Sequence, residues 1–176
     1  SITMLRERTT GTLERLMTLP LAKLDLLFGY GIAFALVGTL QALIAAAVAF
    51  GPLGLDVAGS TALVVVLAIG NALLGMALGL FVSAFAATEF QAVQFLPAVV
   101  FPQLLLCGLF VPRDEMAPIL HAVSYAMPLT YAFEALRRVT VEGSLGAAGL
   151  ADFAVVIAAT LLALALGAAT LRRRTA

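Results

Sequence analysis

The chain has 176 residues, of which 62% are hydrophobic, and its ten Lys plus Arg balance its ten Asp plus Glu to zero net charge. A soluble domain of this length carries about a quarter charged residues, whereas this one carries 11%, so four long helices would have no polar face to show water. The even charge balance, with no clustered basic face, argues against nucleic acid as a partner, and a single Cys107 and single His121 argue against a disulfide framework or a metal site.

No charge falls in Leu26–Phe50, Val57–Thr88, Phe90–Pro112 or Phe153–Leu171. Roughly 20 helical residues cross a hydrocarbon core about 30 Å thick, so each run meets or nearly meets that length. Spanning segments satisfy their backbone internally, as helices or closed barrels. The period-two alternation of barrel strands is missing from Ala45–Phe50 and Ala159–Ala169, which leaves helices. The expected fold is an all-α integral membrane bundle with spans over 24–50, 57–86, 90–112 and 152–171.

The chain opens with a segment over 1–23, in which Thr10–Leu19 reads as a short helix along the membrane surface. Thr10 caps its start, Glu14 sits near the positive dipole end, and Pro20 stops it. Leu13, Leu16 and Met17 share one face. The amphipathic pattern fits either a lipid-anchored helix or one that docks on a partner. Ser1 begins the chain without an initiator Met or signal-peptide pattern, and the expectation is a fragment of a longer membrane protein.

The first two spans are rich in small residues. Gly31, Ala35 and Thr39 recur every fourth position, as do Gly75, Gly79 and Ser83. Small residues let helices approach closely in lipid, so these stripes predict packing within one subunit or a dimer contact. Uncharged polar residues are few, and Asn71, Gln41, Gln94 and Gln103 are expected to point into the bundle as a candidate substrate path, because an amide is costly in lipid. No span holds a mid-membrane charge, which argues against a proton-coupled pump.

Between the third and fourth spans, 113–142 reads as an external helical hairpin. Pro97 and Pro102 interrupt the third span and Pro112 ends it. Asp114 is expected to cap a helix carrying Met116, Ile119, Leu120, Val123 and Met127 on one face, which Pro128 breaks. Thr130 is expected to cap a second helix with Leu129, Phe133 and Leu136 on one face and Arg137–Arg138 near its end. Both are too short to span and fit a re-entrant pair dipping into the outer leaflet, with an ordinary external loop lying on the membrane as the alternative. Arg6, Arg8, Arg15 and Lys23 at the front and Arg172, Arg173 and Arg174 in the 172–176 tail outnumber the basic residues elsewhere. By the positive-inside rule both ends are cytoplasmic.

Two blocks together resemble a known family. The run Glu7-Arg8-Thr9-Thr10-Gly11-Thr12-Leu13-Glu14-Arg15-Leu16, followed by Pro20, resembles the E-R-x-x-G-T-L-E-x-L…P segment of ABC type-2 transporter permeases of the drug-efflux branch. Gln91-Ala92, Pro97, Leu106-Cys107-Gly108-Leu109-Phe110-Val111-Pro112, Pro118 and Pro128-Leu129-Thr130-Tyr131, then Glu134-Ala135-Leu136-Arg137, look like that family's later block. Cys107 stands where Ser is common and Glu134 where Asp is common.

The resemblance implies spans three to six of a six-span permease in the cell inner membrane. It implies that Thr10–Leu19 is a coupling helix, with Glu7, Arg8, Gly11, Thr12, Leu13, Glu14, Leu16 and Met17 contacting a separate ABC ATP-binding subunit. It implies a second permease half, as homo- or heterodimer, and an extracellular gate drawing on Gly108, Pro112, Pro118, Pro128, Tyr131, Glu134 and Arg137. The cargo implied is a hydrophobic or amphipathic small molecule, with drug or antibiotic efflux foremost and lipid or glycolipid export as the alternative within the family. No phosphate-binding G-x-x-x-x-G-K-[ST] occurs in these residues, so ATP and Mg would be bound by the partner and this chain would be neither an enzyme nor a cofactor carrier. A passive channel or structural membrane protein is the alternative of another class. A membrane enzyme is disfavoured by the lack of paired intramembrane carboxylates or a Ser/His/Asp set.

Overall fold

The computed structural model of the chain describes residues 23–86 and 88–170. Among the described residues six α-helices follow one another: α1 (Lys23–Phe50), α2 (Thr61–Ser83), α3 (Glu89–Leu106), α4 (Pro118–Ser124), α5 (Pro128–Arg137) and α6 (Gly146–Thr170). A 3-10 turn over Arg113–Glu115 precedes α4, and a π turn over Arg138–Glu142 extends α5. There is no strand among the described residues. Among the described residues three stretches are long and apolar enough to cross a membrane: Gly31–Phe50, Thr61–Ser83 and Gly146–Gly167. Val93–Leu106 in α3 is apolar but shorter.

Helices α2, α3 and α6 begin or end away from the sequence-based bounds. Helix α2 starts at Thr61 rather than 57, because the preceding residues are engaged elsewhere: Ala58 N–H donates to Thr140 O at 3.0 Å. Helix α6 starts at Gly146, well before the expected 152. Helix α3 runs through Pro97 and Pro102 without stopping, and ends at Leu106 rather than at Pro112. Its terminator is Gly108, whose φ of +98° only glycine adopts without strain. A Cβ there would lie 3.3 Å from Arg113 Cγ and 3.4 Å from Phe133 Cε1, so the turn abuts the hairpin closely.

The hairpin corrects two expectations for one reason. Asp114 caps nothing long; it sits in the 3-10 turn, and α4 begins only at Pro118 and stops at Ser124, before Met127. Thr130 is not a cap either; Pro128 occupies the first turn of α5, and Met127 precedes it. The residue before a proline is pushed out of the α region by the ring. Ala117 (ψ 142°) and Met127 (ψ 115°) are both extended accordingly. The prolines therefore start these helices, where a missing N–H costs nothing.

Helix α2 is the centre of the packing, contacting α1, α5 and α6. One buried cluster joins Val64 and Leu67 of α2 to Ala135 of α5 and Val139 of the π turn. A second joins Leu74 of α2, Ala132 of α5 and Val156 of α6. Phe153 of α6 packs against both. Its ring lies so close to Gly70 that a Cβ there would be 2.6 Å from Phe153 Cε2. The small-residue stripes are not where the close approaches occur. Gly38 meets Ala72 and Gly167 meets Phe81, while Gly31, Gly75 and Gly79 have no neighbour within reach of an added Cβ. The expected internal packing at those three glycines is thus absent among the described residues.

Candidate functional site

Among the described residues, polar groups gather in two regions. The first is the hairpin that follows α3. Two side chains of α5 reach back to fasten it: Thr130 Oγ1 donates to Ser124 O at 2.8 Å, and Tyr131 OH donates to Tyr125 O at 2.8 Å. Thr130 and Ser124 are fully buried, so the Thr130 bond replaces water that the site excludes, while the Tyr131 bond is exposed. Ser124 Oγ donates to His121 O (2.7 Å) and accepts from Arg113 Nε (3.1 Å). The Arg113 guanidinium lies 4.5 Å above the Tyr125 ring, a cation–π contact. Arg113 thereby ties the turn after α3 to α4.

Charges gather at the end of α5. Arg137 donates to Glu134 from Nε (3.2 Å) and Nη2 (2.8 Å), and its Nη2 also reaches Glu142 Oε1 at 2.8 Å. Arg138 lies 3.2 Å from Glu134 Oε1, 3.6 Å from Glu142 Oε2 and 3.5 Å from Asp152 Oδ2 of α6. The Arg137 hydrogen bond holds the Glu134 carboxyl below the usual carboxylate range, against the opposing effect of partial burial; the charges of Arg137, Arg138 and Arg113 act in the same direction as that bond. In return Glu134 holds Arg137 still more firmly protonated.

The expected gate residues fall at structural joints. Gly108 forms the left-handed turn, Pro112 O accepts the Glu115 N–H, and Pro118 and Pro128 open α4 and α5. Tyr131, Glu134 and Arg137 lie along α5. Sequence reasoning missed Arg113, Ser124 and Tyr125, and also Arg138, Glu142 and Asp152 as members of the ion network. The spacing of Glu134, Arg138 and Glu142 at four-residue intervals was a readable signal for the local pairs. Nothing in the sequence placed Asp152 opposite them.

The second region is an open groove of about 720 Å³ between α1 and α2, reaching Leu136 of α5. Gln41 and Asn71 both line it, with Phe34, Met76 and the uncovered Gly75 and Gly79. The structure thus brings together two of the four amides expected on a path. Gln94 is exposed on α3, and Gln103 is buried there with its Nε2 donating to Val99 O at 3.1 Å. Neither lines the groove. Its walls offer amides and hydrocarbon, a surface suited to binding an apolar body rather than to acid–base chemistry. No group of three His, Cys, Asp or Glu that could hold a metal occurs among the described residues. The expected coupling residues Glu7, Arg8, Gly11, Thr12, Leu13, Glu14, Leu16 and Met17 lie outside the described residues.

Residues 1–141 match the family described as ABC-2 type transporter. The probable multidrug ABC transporter permease YbhS of Escherichia coli is 25% identical over 175 residues, covering 99% of this chain and 46% of that protein. The probable multidrug ABC transporter permease YbhR of the same organism is 28% identical over 131 residues, 74% of this chain and 36% of that one. ABC transporter G family member 20 of Dictyostelium discoideum is 26% identical over 143 residues, 81% of this chain and 20% of its own length. The chain therefore spans less than half the length of these curated relatives. No solved structure matches.

Proposed function

This chain belongs to the ABC-2 type transporter family, and we propose that it is membrane-spanning permease sequence of an ATP-driven exporter of hydrophobic or amphipathic compounds, drugs or antibiotics among them. The observation that carries the reading is the family match over residues 1–141 on a chain whose described residues include three helices fit to cross a membrane. The multidrug permeases among its relatives support the cargo class.

In this reading α3 is a fourth crossing. Its 18 residues rise roughly 27 Å at 1.5 Å each, close to the hydrocarbon thickness. The four crossings correspond to spans three to six of a six-span permease in the inner membrane, with both ends of the chain cytoplasmic. The segment over Arg113–Glu142 then lies on the outer side as a re-entrant pair and gate. The exposed Ile119, Leu120 and Val123 of α4 suit immersion in the outer leaflet.

Energy enters from outside the chain. Thr10–Leu19 acts as the coupling helix on a separate ATP-binding subunit, with Leu13, Leu16 and Met17 in its groove and Glu7, Arg8 and Glu14 setting register. Gly11 and Thr12 complete that segment. ATP and Mg are bound by that partner, and a second permease half, identical or not, completes the transporter. ATP binding shifts the permease between inward- and outward-facing states only if the partner binds the two differently. The α1–α2 groove, with Gln41 and Asn71, is where an amphipathic cargo would be held.

The test is co-purification of the full-length permease with its ATP-binding subunit, with and without Leu13→Asp. Recovery of the subunit with the parent and its loss with the variant support the reading. No ATP-binding partner with the parent returns Thr10–Leu19 to a lipid-anchored helix and defeats the exporter assignment.

A further inference from the structure

Gln41 and Asn71 are set apart by their depth and by their lack of partners. Each lies near the middle of a membrane-crossing stretch, Gly31–Phe50 for the first and Thr61–Ser83 for the second. Gly38, one turn before Gln41, meets Ala72, the neighbour of Asn71, so the two amides share one level of the α1–α2 pair. An amide in mid-bilayer without a hydrogen bond is costly. The buried polar side chains of the long helices avoid that cost by bonding one turn back: Ser83 donates to Gly79 O, Gln103 to Val99 O at 3.1 Å and Thr160 to Val156 O at 2.8 Å. Gln41 and Asn71 make no hydrogen bond among the described residues, and both open on the groove of about 720 Å³. No Asp, Glu, Lys, Arg or His lines that groove.

We propose that Gln41 and Asn71 are the specificity-determining pair of the groove, selecting an uncharged, largely apolar molecule that carries a carbonyl, amide or hydroxyl group partway along its length. Binding sites for apolar molecules use a few convergent polar groups to choose among them. An amide both donates and accepts, so the pair matches a hydrogen-bonding group of either kind. A hydrocarbon leaves both amides bare. An ionic group is stripped of water with no opposite charge to receive it. Gly75, one turn beyond Asn71 on the same face, leaves room for the body of the ligand: it lines the groove, and an added Cβ there meets nothing within 4 Å. This inference rests on the reading of the groove as a cargo site and narrows the class of cargo.

The experiment is photolabelling of the full-length permease in lipid nanodiscs. Three probes share one diazirine-bearing pyrenyl-alkyl body and end in a primary amide, a trimethylammonium or a methyl group. Labelled peptides are located by mass spectrometry, and labelling of the groove is counted relative to the α6 peptide around the exposed Leu161. In the parent the amide probe is expected to label the groove about fivefold more than either other probe, the worth of roughly one neutral hydrogen bond. Gln41→Leu and Asn71→Leu should each shrink that preference, while Gln41→Asn, which keeps an amide, should retain it. Gly75→Leu fills the groove without touching the rest of the fold and should abolish groove labelling by all three probes. Equal labelling by the three probes in the parent, as for a groove that takes lipid chains, would overturn the selection, and so would a preference for the ammonium probe. No groove labelling in the parent, as when another protein segment fills it, would overturn the site, as would parental labelling in Gly75→Leu. A preference that survives both leucine variants would overturn the assignment of the pair. Failure here while the ATP-binding subunit still co-purifies strikes the amide pair alone and leaves the exporter reading standing.

Discussion

Glu134 is the residue on which the outer charges converge. Both arginines of the α5 terminus reach it, Arg137 as near as 2.8 Å and Arg138 at 3.2 Å. Glu134→Gln leaves two guanidiniums with Glu142 and Asp152 alone. A loss of about 1 kcal/mol is expected, modest because these pairs are partly exposed, read as a lowered melting temperature in detergent. The pH dependence has a definite sign. The folded carboxyl titrates below its ordinary value near 4.5, so its contribution is complete above that value. It shrinks as pH falls further and is gone below the folded value. The gap in melting temperature between parent and Glu134→Gln should close on acidification rather than on raising the pH.

Gly108 makes a second prediction at the same scale. At φ +98° any side chain is strained, and Gly108→Ala should cost about 1–3 kcal/mol. Arg113 and Phe133 would also have to give way. The sequence marked Gly108 through its motif, but its conformation depends on how the turn meets Arg113, five residues on.

Among the elements, α4 and α5 show how much was legible in the chain and where reading stopped. Two short apolar-faced helices between Pro112 and Arg137 were readable from spacing. Their starts were not, because Asp114 and Thr130 look like caps while Pro118 and Pro128 decide the boundaries through the residues before them. Thr130 then does tertiary work: Thr130→Val removes one of the two donors to the Ser124 carbonyl, which keeps the Met127 N–H. A cost of about 0.5–1.5 kcal/mol is expected, with faster proteolysis between α4 and α5 as the readout. The Gly-x-x-x-Gly of α2 misled in the opposite way. Its spacing is right for close packing, yet the ring of Phe153 chose Gly70. Which glycine is used depends on a large side chain from a helix far away in sequence, and periodicity carries no record of that. Phe153→Ala removes the side chain common to both buried clusters and should cost about 3–5 kcal/mol, measured by thermal unfolding.

For the whole molecule, the open quantity is the number of crossings. Composition made the membrane legible at once, since uncharged runs are a direct count of what lipid tolerates. Whether α3 crosses is a matter of a few residues of length and of two prolines within it. If it crosses, Thr88 and Asp114, both exposed, lie on opposite sides. Thr88→Cys and Asp114→Cys, each in a Cys107→Ser background, should then react with a membrane-impermeant thiol reagent from opposite faces. Labelling of both from one face would leave α3 as a helix that enters and returns. The candidate cargo groove was half legible at this scale. Gln41 and Asn71 were readable as amides out of place, but their meeting depends on how α1 leans on α2.

The hydrogen bond from Ala58 to Thr140 has a practical corollary. It couples the α1–α2 connection to the π turn, so a tug on one is felt at the other. Leu53, in that connection, is well exposed and belongs to none of the joints described. A fluorophore there would be a remote gauge, its signal reporting on whether the π turn keeps its place while the residues being watched stay chemically untouched.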